Sequence, residues 1–153
     1  MKPTPHLDRE QRARVKAECT GMRLRKATRA VGRIYDQTLA PSGLRGTQFS
    51  LLVAISLFGE APLLRVAEEL GLDRTTLTRN LQPLEREGLV ASSPGKDQRV
   101  RLLRLTEAGQ RTLQRAYPLW EEAHSKVVQG LGQRRWMTLL DGLDAASQLR
   151  DEP

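Results

Sequence analysis

Residues 73–106 constrain this chain more than any other stretch. The run Asp73-Arg-Thr-Thr-Leu-Thr-Arg-Asn-Leu-Gln-Pro-Leu-Glu-Arg-Glu-Gly88 carries Leu77, Leu81 and Leu84 at helical spacing. Asp73 is a suitable N-cap, because its carboxylate can accept the free N–H groups of a first turn. Gly88 stands where such a helix would stop, and Leu89 can fold back onto Leu84. At about 100° per residue, Thr75, Arg79 and Gln82 point away from the leucine stripe, flanked by Thr78. One face is therefore oily, and the other carries hydroxyls, an amide and a guanidinium, groups that suit base edges and phosphates. Two short apolar runs then flank Pro94-Gly95, the pattern of a hairpin. Lys96 to Arg104 hold four basic residues and one acid. A ribbon with a cationic tip, directly after a polar-faced helix, reads as the wing of a winged helix-turn-helix.

The residues before this stretch supply the rest of the motif. Thr47 is expected to cap a helix from Gln48 to about Phe58, apolar almost all round and so destined for a core. Gly59-Glu-Ala-Pro62 ends it, with Pro62 at the first position of a short helix, Leu63 to Leu70. Gly71 makes the turn into the Asp73 helix. Outside this region, apolar stripes mark a long first helix, about Leu7 to Leu39, and a long helix capped by Thr106. A last helix from about Gln133, beyond a break at Gly130 and Gly132, carries another. The reading domain needs none of these stripes for itself, so they must bury against something. They are expected to interlock with their copies from a second chain as a homodimer; a monomeric helical bundle is the alternative. The expectation is a single chain, 1–153, mainly α with a small β-hairpin wing. Its winged helix-turn-helix covers 47–105, and its helical dimerisation region covers 7–45 and 106–153. Residues 1–6, with two prolines, are expected to be loose.

Two blocks of residues resemble the MarR family of bacterial regulators. Asp97-x-Arg99, five residues, then Leu105-Thr106 resembles that family's wing signature. Asp73 to Arg79, followed by Leu84-Glu85-x-x-Gly88-Leu89-Val90, resembles its recognition helix and exit. The resemblance implies a dimeric transcription regulator, expected to be a repressor, that binds double-stranded DNA at a pseudo-palindromic operator. Thr75, Thr76, Thr78, Arg79 and Gln82 are the candidates for the major groove, and Arg74 for phosphate. Lys96 and Arg99 are the wing candidates, with Arg99 directed at the minor groove. Asp97 cannot attract DNA; its role, as in the family, is to orient a wing arginine. Two features depart from the pattern. Pro83 lies inside the helix, where a kink is expected rather than a break, and Ser92-Ser93 stands where basic residues are common.

Composition narrows the partners. The net charge of +7 and pI of about 10.3 favour an acidic partner, nucleic acid or a membrane surface. No apolar run approaches the ~20 residues of a membrane span, and no secretory signal is visible. A single cysteine excludes an intrachain disulfide and fits a reducing cytoplasm. Aromatic residues are too few, at 4%, for a single-strand stacking platform. Residues 1–35 hold ten Lys or Arg against three Asp or Glu, either a solvated face or a segment near DNA phosphates. No Gly-rich phosphate loop, Cys-x-x-Cys, His-x-x-x-His or nucleophile–base cluster is present, so neither an enzyme nor a bound cofactor or metal is expected.

The trigger is less defined. Proteins similar to this one often respond to a small aromatic acid or phenol held in a crevice between the dimer helices and the reading domain. Arg33 and Tyr35 are the candidate anchors. Oxidation of Cys19 is the alternative, since Lys16, Arg23, Arg25 and Lys26 lie close in sequence. A lone cysteine also reads as a small buried filler. A winged-helix module that binds protein instead of DNA is the remaining alternative.

Overall fold

The computed structural model describes residues 6–149. The chain divides into two compact units, Met1–Arg33 and Ile34–Pro153, each taken by itself. The residues expected to be loose lie outside the described ones except His6, which is exposed.

In the first unit, the single long helix predicted from Leu7 is two helices. α1 spans Arg9–Glu18, and α2 starts at Thr20 and ends at Leu39, within the second unit. Cys19 makes the break: its ψ of 103° leaves the helical region while its N–H still bonds the Val15 carbonyl at 3.0 Å. α1 opens on a capping box, in which the Asp8 carboxylate accepts the Gln11 N–H at 2.7 Å and the Gln11 amide accepts the Asp8 N–H at 3.0 Å. None of its residues is buried.

In the second unit, α3 covers Gly46–Phe58 and begins at Arg45 rather than at a Thr47 cap. Two side chains satisfy its first donors: Asp36 accepts the Gly46 N–H at 2.8 Å, and Gln48 accepts the Arg45 N–H at 2.9 Å. α3 fills the core as expected, with Phe49, Leu51, Leu52, Ala54 and Ile55 buried. Glu60–Pro62, read from sequence as a loop, is a short strand, β1. Pro62 is consequently the N-cap of α4 (Leu63–Glu69), not its first residue. A residue with no N–H is tolerated there because β1 is an edge strand.

α5, Arg74–Arg86, follows the Gly71 turn. Its leucine stripe is fully enclosed: Leu77, Leu81 and Leu84 are each 0% exposed and meet Leu51, Leu52 and Ile55 of α3 in one core. Burying each such side chain contributes about 1.5–3 kcal/mol. The helix runs uninterrupted through Pro83. Gly88 ends it in the left-handed conformation, φ 69°, with its N–H on the Glu85 carbonyl at 3.0 Å and the Leu89 N–H on the Leu84 carbonyl at 2.9 Å.

Asp73 caps α5 as predicted. Its carboxylate accepts the Thr76 hydroxyl at 2.7 Å and the Thr76 N–H at 2.8 Å. Those bonds, the hydroxyl's first, hold its pKa below the ordinary carboxylate value. A depressed folded-state pKa contributes stability that is present above the unfolded value and lost as pH falls through the folded one. Asp73→Ala is therefore expected to lower the Tm at pH 7. The gap between variant and wild type should close as pH drops below about 4, as pH-resolved thermal melts will show.

The wing pairs β2 (Val90–Pro94) with β3 (Arg101–Leu105), Val90 facing Leu105 and Pro94 facing Arg101. β1 joins the other edge of β3, Ala61 opposite Leu103. Thr106 then caps α6 (Glu107–Leu131), its hydroxyl accepting the Gly109 N–H at 3.0 Å and donating to the Gly88 carbonyl at 2.6 Å. Gly132 separates α6 from α7, Gln133–Ser147. At that corner His124 is stacked on Trp120, centroids 5.1 Å apart, and meets the edge of Trp136 at 5.4 Å. Trp120 also stacks on Phe49 of the core, at 6.3 Å. The fold is mainly α with a hairpin wing, as the sequence implied.

Candidate nucleic-acid interface

With its leucines buried, α5 turns the opposite face outward. Arg74, Thr75, Thr78, Arg79 and Gln82 line an open cleft of about 460 Å³ with Leu63 and Arg101. The predicted residues differ in what is left free. Thr76 is half-buried and its hydroxyl is committed to the Asp73 cap. The Thr78 hydroxyl donates back to the Arg74 carbonyl at 2.8 Å. Thr75 is exposed, and among the described residues its hydroxyl makes no hydrogen bond. Arg74 and Arg79 are exposed, with no acidic partner among the described residues.

Lys96, Asp97 and Arg99 lie together on the exposed wing tip. The tip is closed by backbone bonds from Gly95 N–H to the Val100 carbonyl, 2.7 Å, and from Val100 N–H to the Asp97 carbonyl, 2.9 Å. The Asp97 carboxylate accepts the backbone N–H of Arg99 at 2.9 Å. It thus fixes the stretch of chain that carries the arginine.

Arg101 was absent from the sequence candidates. It shares a strand face with Leu103 and Leu105, which points it toward the helices. Its guanidinium donates to Glu85 of α5 and, at 3.2 Å, to the Ser92 hydroxyl. The parity of Arg101 with those two leucines was the available signal.

A second cleft, of about 480 Å³, runs between the end of α2 with its following turn and α6. Ile34, Pro41 and Leu119 supply apolar walls; Gln37, Thr38, Glu122 and Lys126 supply polar groups. The Lys126 ammonium donates to the Thr38 hydroxyl at 3.2 Å and pairs with Glu122 at 2.7 Å. Tyr35 packs against the core, where burial raises its phenol pKa, and is not among the lining residues. Arg33 is exposed at the end of the first unit. Cys19 is a half-buried free thiol. Its neighbour Arg23 is held by the Ala17 carbonyl, at 2.6 and 3.1 Å.

An apolar-backed helix with a polar outer face, preceded by a bracing helix and followed by a cationic hairpin, defines a winged helix-turn-helix protein. Residues 44–100 match the model of the MarR family. The crystal structure of the M. tuberculosis transcriptional regulator MOSR in complex with DNA is 40% identical, covering 86% of this chain and 100% of that one at a TM-score of 0.72. The structure of BpsR of Bordetella bronchiseptica, described as showing regulation of DNA binding by 6-hydroxynicotinic acid, is 26% identical. It covers 86% of this chain and all of that one, at a TM-score of 0.76. Among curated relatives, the uncharacterized HTH-type transcriptional regulator YwoH of Bacillus subtilis is 26% identical over 88 residues, 58% of this chain and 64% of YwoH. The chain thus spans just under two thirds of the curated relatives it matches. The chain belongs to the MarR family of transcription regulators.

Proposed function

We propose that this chain is a homodimeric, sequence-specific binder of double-stranded DNA that represses transcription in the cytoplasm and is released by a small molecule. The observation that carries the reading is the division of α5: Leu77, Leu81 and Leu84 fully enclosed, Thr75, Arg79 and Gln82 facing out beside an exposed cationic wing tip. Relatives support it, since MOSR was solved on DNA. In the dimer, two α5 helices spaced by about one DNA turn, ~34 Å, read a pseudo-palindrome while Arg99 enters the neighbouring minor groove. Residues 7–45 and 106–153 form the dimerisation region, and 47–105 the reading region.

The cleft beside Lys126 supports the effector reading. A hydroxyl, an amide and the Lys126–Glu122 pair among apolar walls suit a small planar phenol, or an acid that takes the place of Glu122 on Lys126, and BpsR provides a precedent with 6-hydroxynicotinic acid. The experiment is capture of genomic fragments by the purified protein, followed by titration of the recovered duplex with and without that acid or simple phenols. An inverted repeat is expected. Arg79→Ala should weaken it about 10- to 100-fold if the guanidinium bridges a guanine, and Arg99→Ala should erode the A·T preference of the flanks. Capture of no preferred sequence by the wild type, or equal affinity in Arg79→Ala, would sink the reading.

A further inference from the structure

We propose that Glu85 tethers the wing to the recognition helix through Arg101, fixing the wing's angle and keeping that guanidinium off the DNA backbone. The inference rests on the DNA-binding reading above and assigns residues it does not use. Among the described residues four ion pairs are formed. Three join residues four apart on a single helix: Arg14–Glu18, Arg111–Glu107 and Lys126–Glu122. The fourth, Arg101–Glu85, joins two elements, and those elements are α5 and the wing. Its side chains are only 36% and 23% exposed, against 52–88% in the other three, so salt screens it less.

The surroundings suit a fixed brace. Arg101 leaves β3 at the mouth of the wing, opposite Pro94. Its guanidinium reaches back to the last turn of α5 and is held a second time by Ser92 on the paired strand. A neutral hydroxyl suits that place: a lysine at position 92 would set a like charge against Arg101. Arg101 also lines the cleft with Arg74 and Arg79, so without Glu85 it would be a third free cation beside the duplex. The carboxylate removes that sequence-independent attraction and makes the spacing between Arg79 and Arg99 a property of the fold.

The test is a cycle of Glu85→Gln, Arg101→Gln and the double variant, changes at partly exposed side chains outside the core. In thermal melts each single variant should lower the Tm, and the double variant should cost no more than the worse single. In titrations against random-sequence duplex, Glu85→Gln should bind more tightly, with a log–log salt slope steeper by about 0.9 per protomer as Arg101 finds a phosphate. Its preference for the captured sequence should fall, and Arg101→Gln should keep the wild-type slope. Additive Tm losses overturn the tether. So does a shallower slope in Arg101→Gln, which would make Arg101 itself a phosphate contact. If the wild type binds no duplex, the DNA reading fails and the melting cycle alone decides whether the tether exists.

Discussion

Gly109→Ala is expected to cost about 3 kcal/mol of stability, roughly 6–12 °C in Tm for a chain of this size. A Cβ at position 109 would run into the Leu89 carbonyl oxygen, with the Leu89 carbonyl carbon at 3.0 Å behind it. The obstacle is backbone, so no rotamer change relieves it. Neither side can retreat. The Leu89 carbonyl already accepts the Thr106 N–H at 3.1 Å, and the Thr106 hydroxyl is shared between the Gly88 carbonyl and the Gly109 N–H. Moving α6 away would break its own cap; moving Leu89 would break the exit from α5. Calorimetry of the variant checks this, with Gly130→Ala as control. Position 130 is a helical glycine whose added Cβ meets nothing within 4 Å, so alanine there should be neutral or stabilising by up to about 1 kcal/mol. Equal Tm values for both variants would mean that the junction is loose.

Replacing Leu139 and Leu143 together by glutamate is expected to yield a monomer whose affinity for the captured duplex falls by at least about 100-fold, the gain that linking two binding modules typically supplies. α7 has no buried residue, yet Leu139, Leu140 and Leu143 are 37%, 41% and 39% exposed and Met137 is 54% exposed. A helix of fifteen residues gains little from its own hydrogen bonds in water and depends on packing. Two carboxylates four residues apart would put like charges into the surface proposed above to meet a second copy. Sedimentation velocity gives the assembly state, and anisotropy on full and half sites gives the affinity. A double variant that still sediments as a dimer and binds the full site normally would remove α7 from the interface.

What could be read from the chain was local. The cap, stripe and exit of α5 fall within residues 73–89, so each partner lies a few positions from the next, and all three were found where expected. Several of the failures have a longer reach. The start of α3 moved because Asp36, ten residues upstream, accepts the Gly46 N–H. β1 was missed because its partners, Leu102 to Arg104, lie some forty residues on. The first helix was read through Cys19, whose extended ψ no periodicity announces. At the site, Arg101 owes its place to Glu85, sixteen residues away. Residue types on a helix face follow from spacing; which charges neutralise each other follows from the sheet register.

The chain's two tryptophans both lie against His124, and neither belongs to α5 or the wing. Tryptophan emission, excited selectively over the two tyrosines, is therefore a private channel on the α6–α7 corner and its seat on Phe49. A spectral change provoked by adding duplex would be news carried from elsewhere in the molecule, with no dye attached.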